Sequence, residues 1–536
     1  MKIVNNIVYG PAARKVPNIS VQQYVLDSLR TESDRVMQED IATGKCLTRR
    51  DILESSVALA EALKMYGIGN EDRITIVSEN HPNFVIAMCS IFYVGGVHAP
   101  LNPLYTEREY AHMLNILQPR VIFVSEKCEV LIGKIVSTLS WKVSLIQLDD
   151  RALTENVATL KELVERHKGR VDPYTFVPAP VNDTSKAMAA IFGSSGTTGF
   201  PKGVALSHRN LLTFVHNVRE PNYLDIQGGD RVLIFLPLFH GYAFGMVLAS
   251  LYSGAITVIM RSFKIEPFLR TIEDYKITHL PLVPPILVLL AKHPTVPNYD
   301  FSSVRVTICG AAPYPKDVGD AMKRRTKIQH IQNGYGMTEL SIITHLGDKT
   351  RPDGNLATFF PGLLCKVVDP ETNETLRIGE TGEVCVAGDH VMLGYFKNPS
   401  VTDQTIDKEK WLHTGDLGYF NPDGTLEIAG RLKELIKYKG YQVAPSEIED
   451  VIQSYPGVKD AAVIGKPDEE SGEVPMAFVV RLPNGKLTAQ EILDYTNKHL
   501  SPQKRLRGGI TFVEEIPKTP SGKILRRELL KLISKL

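Results

Sequence analysis

A chain of 536 residues is long enough for three to four compact units at about 150 residues per domain. Lysine plus arginine number 61 and aspartate plus glutamate 60, so the formal net charge of +1 gives no overall pull toward nucleic acid or an anionic membrane. With 43% hydrophobic and 23% charged residues, the composition excludes a disordered chain.

In chain order, the opening Met1-Lys2-Ile3-Val4 has no long apolar core ahead of a small-residue cleavage site, so no secretory leader is expected. Thr48 and Asp51 form a capping-box pattern, and Ile52, Leu59, Leu63 and Tyr66 mark one helix face that Gly67 ends. A strand is expected over Ile74–Val77, a helix over Phe84–Val94 and another strand over Val121–Val124. Short β-rich runs recur at Val232–Phe235, Ile256–Ile259 and Val304–Cys309 between helical stretches. That alternation predicts α/β layers with largely parallel sheets, arranged as two α/β subdomains. The apolar stretch Ala243–Met260 is split by Gly254 and reads as a buried helix, turn and strand rather than a membrane span.

From about Leu363 to Gly430 the texture changes to short strands and glycine turns, which predicts a small β-barrel-like subdomain. The lysine-rich segment Arg431–Gly440 then opens a compact α+β tail. Its pieces are a helix over Ser446–Ser454, strands near Ala461–Ile464 and Met476–Val480, and a last helix with Leu525, Leu529 and Leu532 on one side. The boundary is expected at Gly430-Arg431, dividing residues 1–430 from a mobile domain of residues 431–536. The six cysteines are too scattered for a disulfide framework or a paired-cysteine zinc site, and read as thiols of a reducing compartment.

Phe192–Val204 reads Phe-Gly-Ser-Ser-Gly-Thr-Thr-Gly-Phe-Pro-Lys-Gly-Val. Ser194, Ser195, Gly196, Thr197, Thr198 and Gly199 supply backbone N–H groups and small hydroxyls, and Lys202 adds a cation, which are the parts that wrap a polyphosphate. The loop is not a Walker A sequence, and its bland alternative is a flexible surface loop. Asn333, Gly334, Tyr335 and Gly336 form a second glycine loop, followed by Met337, Thr338 and Glu339. Thr338 could donate to a phosphate and Glu339 could hold Mg²⁺, the alternative being an exposed strand-end turn. Gly310, Ala311, Ala312 and Pro313 end a β-rich run where a flat ring could approach the backbone. Asp416, expected in a turn, could accept ribose hydroxyls. Lys523 lies on a glycine-containing loop able to deliver an ammonium to a reacting phosphoryl or carboxylate group.

Together these motifs resemble the adenylate-forming superfamily of acyl- and aryl-CoA synthetases, 4-coumarate–CoA ligases and beetle luciferases, over nearly the whole chain. The run Arg431–Pro445, Leu435–Pro445 included, resembles the insect luciferase and plant ligase branch, with its luciferase-like fatty acyl-CoA synthetases. The resemblance implies a large N-terminal domain, and a small C-terminal domain that rotates between two half-reactions about a hinge at Gly430-Arg431. It implies ATP, Mg²⁺ and coenzyme A as cofactor and co-substrates, and a small-molecule carboxylate as the acid. By resemblance Lys523 supplies charge to the transferring group, Ser194–Gly199 and Lys202 hold pyrophosphate oxygens, and Glu339 supports Mg²⁺. Gly310–Pro313 and Asn333–Gly336 look like the adenine site, and Asp416 and Arg431 the ribose anchor. Lys437, Lys439 and Gly440 look like the coenzyme A face, with Lys437 catalytic there.

His240 resembles the family's histidine at the acyl pocket, with Phe244, Gly310, Gly336 and Met337 around it. Departures from the family pattern are Ala357, in place of a glycine and expected to narrow that pocket, and Gly430 at the hinge. Further departures are His240-Gly241-Tyr242-Ala243 in place of a His-His-Gly-Phe run, and Phe214 where luciferases carry an arginine. The terminal Ser534, Lys535 and Leu536 match a peroxisomal address read by an import receptor, so a peroxisomal location is expected. The activity implied is an ATP-dependent acyl-CoA ligase for a medium- or long-chain fatty acid. The rivals are a luciferase-type monooxygenase and a non-enzymatic nucleotide-binding relic.

Overall fold

The computed structural model describes residues 2–13, 15–194, 201–312, 314, 316–439, 441–468, 470–482, 487–500, 502–519 and 522–533. Four sheets organise it. In the eight-stranded sheet, Val97–His98, Arg73–Val77, Val121–Val124, Ser144–Gln147 and Ala158–Thr159 run parallel to one another. Met188–Ser194 joins that parallel set, whereas Lys202–Ser207 turns back antiparallel beside it. That reversal sets Ser194 directly opposite Lys202, at the two ends of the glycine loop.

A nine-stranded sheet has a parallel centre, from Gln332–Tyr335 through Val306–Gly310, His279–Leu282, Arg231–Ile234 and Ile256–Ile259 to Val36–Asp40. Its inner strands Val306–Gly310, His279–Leu282, Arg231–Ile234 and Ile256–Ile259 are mostly buried and apolar, as in a sheet covered on both faces. Gln332–Tyr335 and Val306–Gly310 end side by side, with Gly310 opposite Gly334. In open α/β sheets the carboxyl ends of neighbouring parallel strands are where ligands bind.

The segment Leu363–Gly430 forms an antiparallel sheet of Leu364–Val368, Gly382–Ala387, Leu412–Phe420 and Leu426–Arg431. It recruits the N-terminal hairpin Lys2–Val4 and Ile7–Tyr9, which the sequence pattern did not reveal. Asp416 lies inside Leu412–Phe420, paired with Arg431, and not in the turn expected for it. Gly415 precedes it at φ 70, a left-handed conformation that glycine takes without strain.

The tail packs Ile436–Tyr438, Tyr441–Val443, Val458–Asp468 and Gly472–Arg481 into an antiparallel sheet, with Ile510–Phe512 parallel at its side. Helix Pro445–Gln453 buries Ile448 and Ile452 against it. The last helix, Arg526–Ile533, corrects the sequence reading. Leu529 alone of the three leucines is buried, because Leu525 precedes the helix and Leu532 faces outward. Among the described residues, no helix is long and apolar enough to cross a membrane.

The run Ala243–Met260 divides as expected into helix Gly241–Ser253 and strand Ile256–Ile259. Gly254 ends the helix at φ 75, its N–H donating to the Ser250 carbonyl at 2.9 Å. A Cβ at Gly254 would lie 2.0 Å from Arg49 Nη2. That guanidinium is buried and donates through Nη1 to the Thr31 carbonyl and hydroxyl, both at 2.9 Å, so it has little room to retreat. Gly254→Ala is therefore expected to destabilise by about 1–3 kcal/mol. Scanning calorimetry should show a lower first transition, and an unchanged midpoint would contradict this packing.

Candidate active site

Two cavities of about 670 and 500 Å³ share the walls Ala311, Gly334, Gly336, Arg431 and Lys523. The larger has a charged end with Ser194, Lys202, Glu339 and Lys433, and an apolar end with Phe214, Leu236, Met246, Val283 and Ile342. The smaller is bordered by Ala312, Tyr314, Asn333, Tyr335 and Asp416, and by Glu449 and Arg526 from the tail.

At the charged end Glu339 is buried, not the exposed turn residue of the bland alternative. Its Oε1 accepts from Ser194 Oγ at 2.8 Å and from the Tyr395 hydroxyl at 3.0 Å. Lys202 Nζ stands 4.9 Å from the centre of the Tyr395 ring, close enough for a cation–π contact. Burial lowers the Lys202 pKa and nearby Lys433 adds to this, while Glu339 opposes both. A carboxylate of hard oxygens beside a lysine is a donor set that suits Mg²⁺ together with phosphate oxygens.

Where the cavities meet, Asp416 bridges two sheets. Its Oδ2 accepts from the Tyr335 hydroxyl at 2.9 Å, and its Oδ1 stands 3.0 Å from Arg431 Nε. Burial pushes the Asp416 carboxyl up, against the pull of Arg431, Tyr335 and Lys523. Gly336 is required by close approach, since a Cβ there would sit 2.3 Å from the Ile342 carbonyl oxygen. Ala311 takes the left-handed region at φ 73, leaving the strand-end backbone open toward the cavity.

Lys523 reaches this junction on a small hairpin. Its backbone N–H donates to Thr519 Oγ1 at 3.1 Å, and its carbonyl accepts from the Thr519 N–H at 2.8 Å. Gly522, at φ 86, lies against Pro285, whose Cδ would be 2.7 Å from an added Cβ. The Lys523 pKa is lowered by burial and then by Arg431, opposed by Glu434, Asp416 and Glu339.

His240 is the N-cap of helix Gly241–Ser253 and lines the larger cavity, as do Gly310, Gly336, Met337 and Thr338. Phe244 does not, which corrects the sequence reading. At 100° per residue Tyr242 and Met246 share the face turned to the cavity, and Phe244 points away. Its ring stacks on His98 at 5.4 Å and meets Phe192 edge-on at 4.9 Å. Ala357 lines neither cavity and so does not narrow the pocket; its N–H donates to Asn355 Oδ1. Phe214 does line the apolar end.

Lys437 is exposed on strand Ile436–Tyr438, and neither it nor Lys439 lines either of these two cavities. Ser195, Gly196, Thr197, Thr198, Gly199, Pro313, Gly440 and Ser534–Leu536 lie outside the described residues. The sequence reading missed Tyr395, Lys433, Glu383 and His413. Tyr395 and Glu383 stand in ordinary strand patterns that give no signal until Glu339 and Gly415 are seen as their partners.

With this geometry in view, comparison with known proteins identifies the family. The model for AMP-binding enzymes matches residues 27–396, and that for the AMP-binding enzyme C-terminal domain matches 447–523. The chain belongs to the AMP-binding, adenylate-forming enzymes. It is 39% identical to a luciferin 4-monooxygenase of Photinus pyralis, over 91% of this chain and 89% of that one. It is 37% identical to 4-coumarate–CoA ligase 2 of Nicotiana tabacum, over 96% and 94%. The crystal structure of the anthranilate CoA ligase AuaEII with anthranoyl-AMP superposes with a TM-score of 0.86 at 25% identity, covering 96% of this chain and 98% of that one.

Burial lowers the His240 pKa to about 4, below the ~6.5 of an exposed imidazole, so the ring is neutral at pH 7. The unfolded chain takes up this proton near pH ~6.5 and the folded chain only near pH 4. The share of stability linked to a neutral His240 is therefore complete above pH ~6.5 and is lost as pH falls toward 4. His240→Asn should flatten the acid side of a plot of melting midpoint against pH. A slope identical to that of the parent would contradict a neutral, desolvated ring.

Proposed function

We propose that this adenylate-forming enzyme is an ATP-dependent acyl-CoA ligase acting on a medium- or long-chain fatty acid. The observation that carries the reading is one cavity with Lys202, Glu339 and Lys523 at one end and Phe214, Leu236, Met246 and Ile342 at the other. An alkyl chain suits the apolar end, where each buried methylene contributes about 0.8 kcal/mol.

In the first half-reaction a carboxylate oxygen attacks the α-phosphorus of ATP. The new P–O bond gives acyl-AMP, and the bond to the β-phosphate breaks to release pyrophosphate. Both reactants are anions, so positioning and positive charge are what the site must contribute. Lys523 donates to the transferring group, Lys202 and Ser194 hold the departing phosphates, and Asp416 accepts ribose hydroxyls. Gly310–Ala312 and Asn333–Gly336 take the flat adenine, and neutral His240 orients the carboxylate at the mouth of the apolar end. Mg²⁺ bound at Glu339 would neutralise phosphate charge.

In the second half-reaction the thiolate of coenzyme A attacks the acyl carbon, a C–S bond forms, and the C–O bond to AMP breaks. Lys523 occupies the space the thiol needs, so the tail, residues 431–536, rotates about Gly430-Arg431. The rotation brings Lys437, Lys439 and Gly440 to the reacting carbon.

A luciferase-type oxidation of a luciferyl adenylate is the second reading, favoured by the identity to the Photinus enzyme. The phenyl ring of Phe214 in the acyl end supports the ligase over it.

Incubation with a panel of fatty acids, ATP, Mg²⁺ and coenzyme A should yield AMP and acyl-CoA. No turnover across the panel, or sustained light with luciferin and oxygen, would overturn the ligase reading. Lys523→Ala should slow acyl-adenylate formation by roughly 100-fold or more while sparing thioester formation from preformed acyl-AMP. Lys437→Ala should show the reverse split in the same pair of assays. Gly522→Ala, which pushes the hairpin off Pro285, should slow the adenylate step about tenfold without altering the second, and equal effects on both steps would contradict that docking.

A further inference from the structure

Beside the larger cavity, the antiparallel sheet assembles a cluster that the proposed reaction does not use. Glu383 and Cys385 lie two residues apart on strand Gly382–Ala387, facing an irregular stretch of Leu412–Phe420 that carries the extra residues, and His413 on that strand is the direct partner of Cys385. Alternation along a strand puts such residues on one face. One ligand atom from each of the three lies within 4.8 Å of the others. Cys385 Sγ is 3.5 Å from His413 Nδ1, and the same nitrogen is 2.8 Å from Glu383 Oε2. A tetrahedral zinc ion holds sulfur and nitrogen ligands roughly 3.6 Å apart, given its metal–ligand lengths.

The surroundings add a second observation. A metal-bound imidazole usually offers its other N–H to a carboxylate, which fixes the ring. Here His413 Nε2 stands 3.6 Å from Asp407 Oδ2. Cys385 is buried among Val368, Ala387 and Trp411, whereas Glu383 and His413 border the cavity, so the cluster is closed behind and open in front.

We propose that Glu383, Cys385 and His413 form a binding site for a borderline-soft divalent cation of the zinc type, with Asp407 positioning the imidazole and the remaining coordination position facing the cavity. Binding releases the thiol proton of Cys385 and any proton on His413 Nδ1 to solvent, and the Nδ1–Glu383 hydrogen bond is replaced by two bonds to the ion. Glu383 Oε1 accepts from the Gly415 N–H at 2.9 Å, so the ion and the backbone next to Asp416 share one carboxylate. The set differs from that at Glu339. A thiolate and an imidazole select zinc or cobalt over Mg²⁺, which takes hard oxygens.

The test is titration of the full-length protein with Co²⁺ alone, in excess Mg²⁺, with exposed Cys46 replaced by serine throughout. A single bound ion per chain with a thiolate-to-cobalt charge-transfer band in the near ultraviolet is expected. Cys385→Ser should abolish the band while leaving pyrophosphate–ATP exchange and the melting midpoint near those of the parent. Asp407→Asn should weaken Co²⁺ binding about tenfold. Absence of the band in the parent, or its persistence in Cys385→Ser, would overturn the site. Should that variant fail to fold, His413→Gln decides in the same way, because a band unchanged without the imidazole excludes this coordination.

Discussion

Asp416 is the point on which the cleft turns. Its carboxylate joins Tyr335 at the end of the nine-stranded sheet to Arg431 at the end of the six-stranded one, with contacts of 2.9 and 3.0 Å. A buried carboxylate without such partners would be costly, and removing one partner of a buried pair leaves the other uncompensated. Arg431 compensates the carboxylate within its own sheet, and the Tyr335 contact ties that sheet to the nine-stranded one where the two cavities meet. Arg431 is also the last residue of its strand, so any displacement of the tail would work against this pair.

Around Asp416 the charges are arranged for an anion. A chain whose net charge is only +1 concentrates Lys202, Arg431, Lys433 and Lys523 on one cavity, against Glu339 and Glu383. Low-dielectric walls make such a concentration far stronger than the same charges in water. Arg431, Lys433 and Lys523 all come from the tail, and the place of Lys523 depends on the absence of a side chain at Gly522, which lies against Pro285. Steric permission at one glycine thus decides where the Lys523 ammonium sits.

Much of the fold was legible because its signals are local. The capping box at Thr48 and Asp51 forms as read, and the break at Gly254 separates helix from strand. Where the reading failed, the cause was a partner distant in sequence. Asp416 looked like a turn residue because Gly415 precedes it, yet pairing with Arg431 makes it a strand residue. Phe244 looked like a pocket residue beside His240, but helical rotation hands the cavity to Tyr242 and Met246. The hairpin at Lys2–Tyr9 finds its place only through Leu364–Val368, more than three hundred residues away.

By itself the sequence determined the family and the alternating α/β architecture, because glycine spacing, caps and hydrophobic periodicity act over a few residues. Only the tertiary structure decided that Glu339 is buried between Ser194 and Tyr395, that Lys523 meets the same cavity as Lys202, and that Glu383, Cys385 and His413 converge. Those facts depend on strand register and on the seating of one sheet against another. A change of one residue in register would turn strand residues such as Ser194, Lys202, Glu383, Cys385 and His413 to the opposite face.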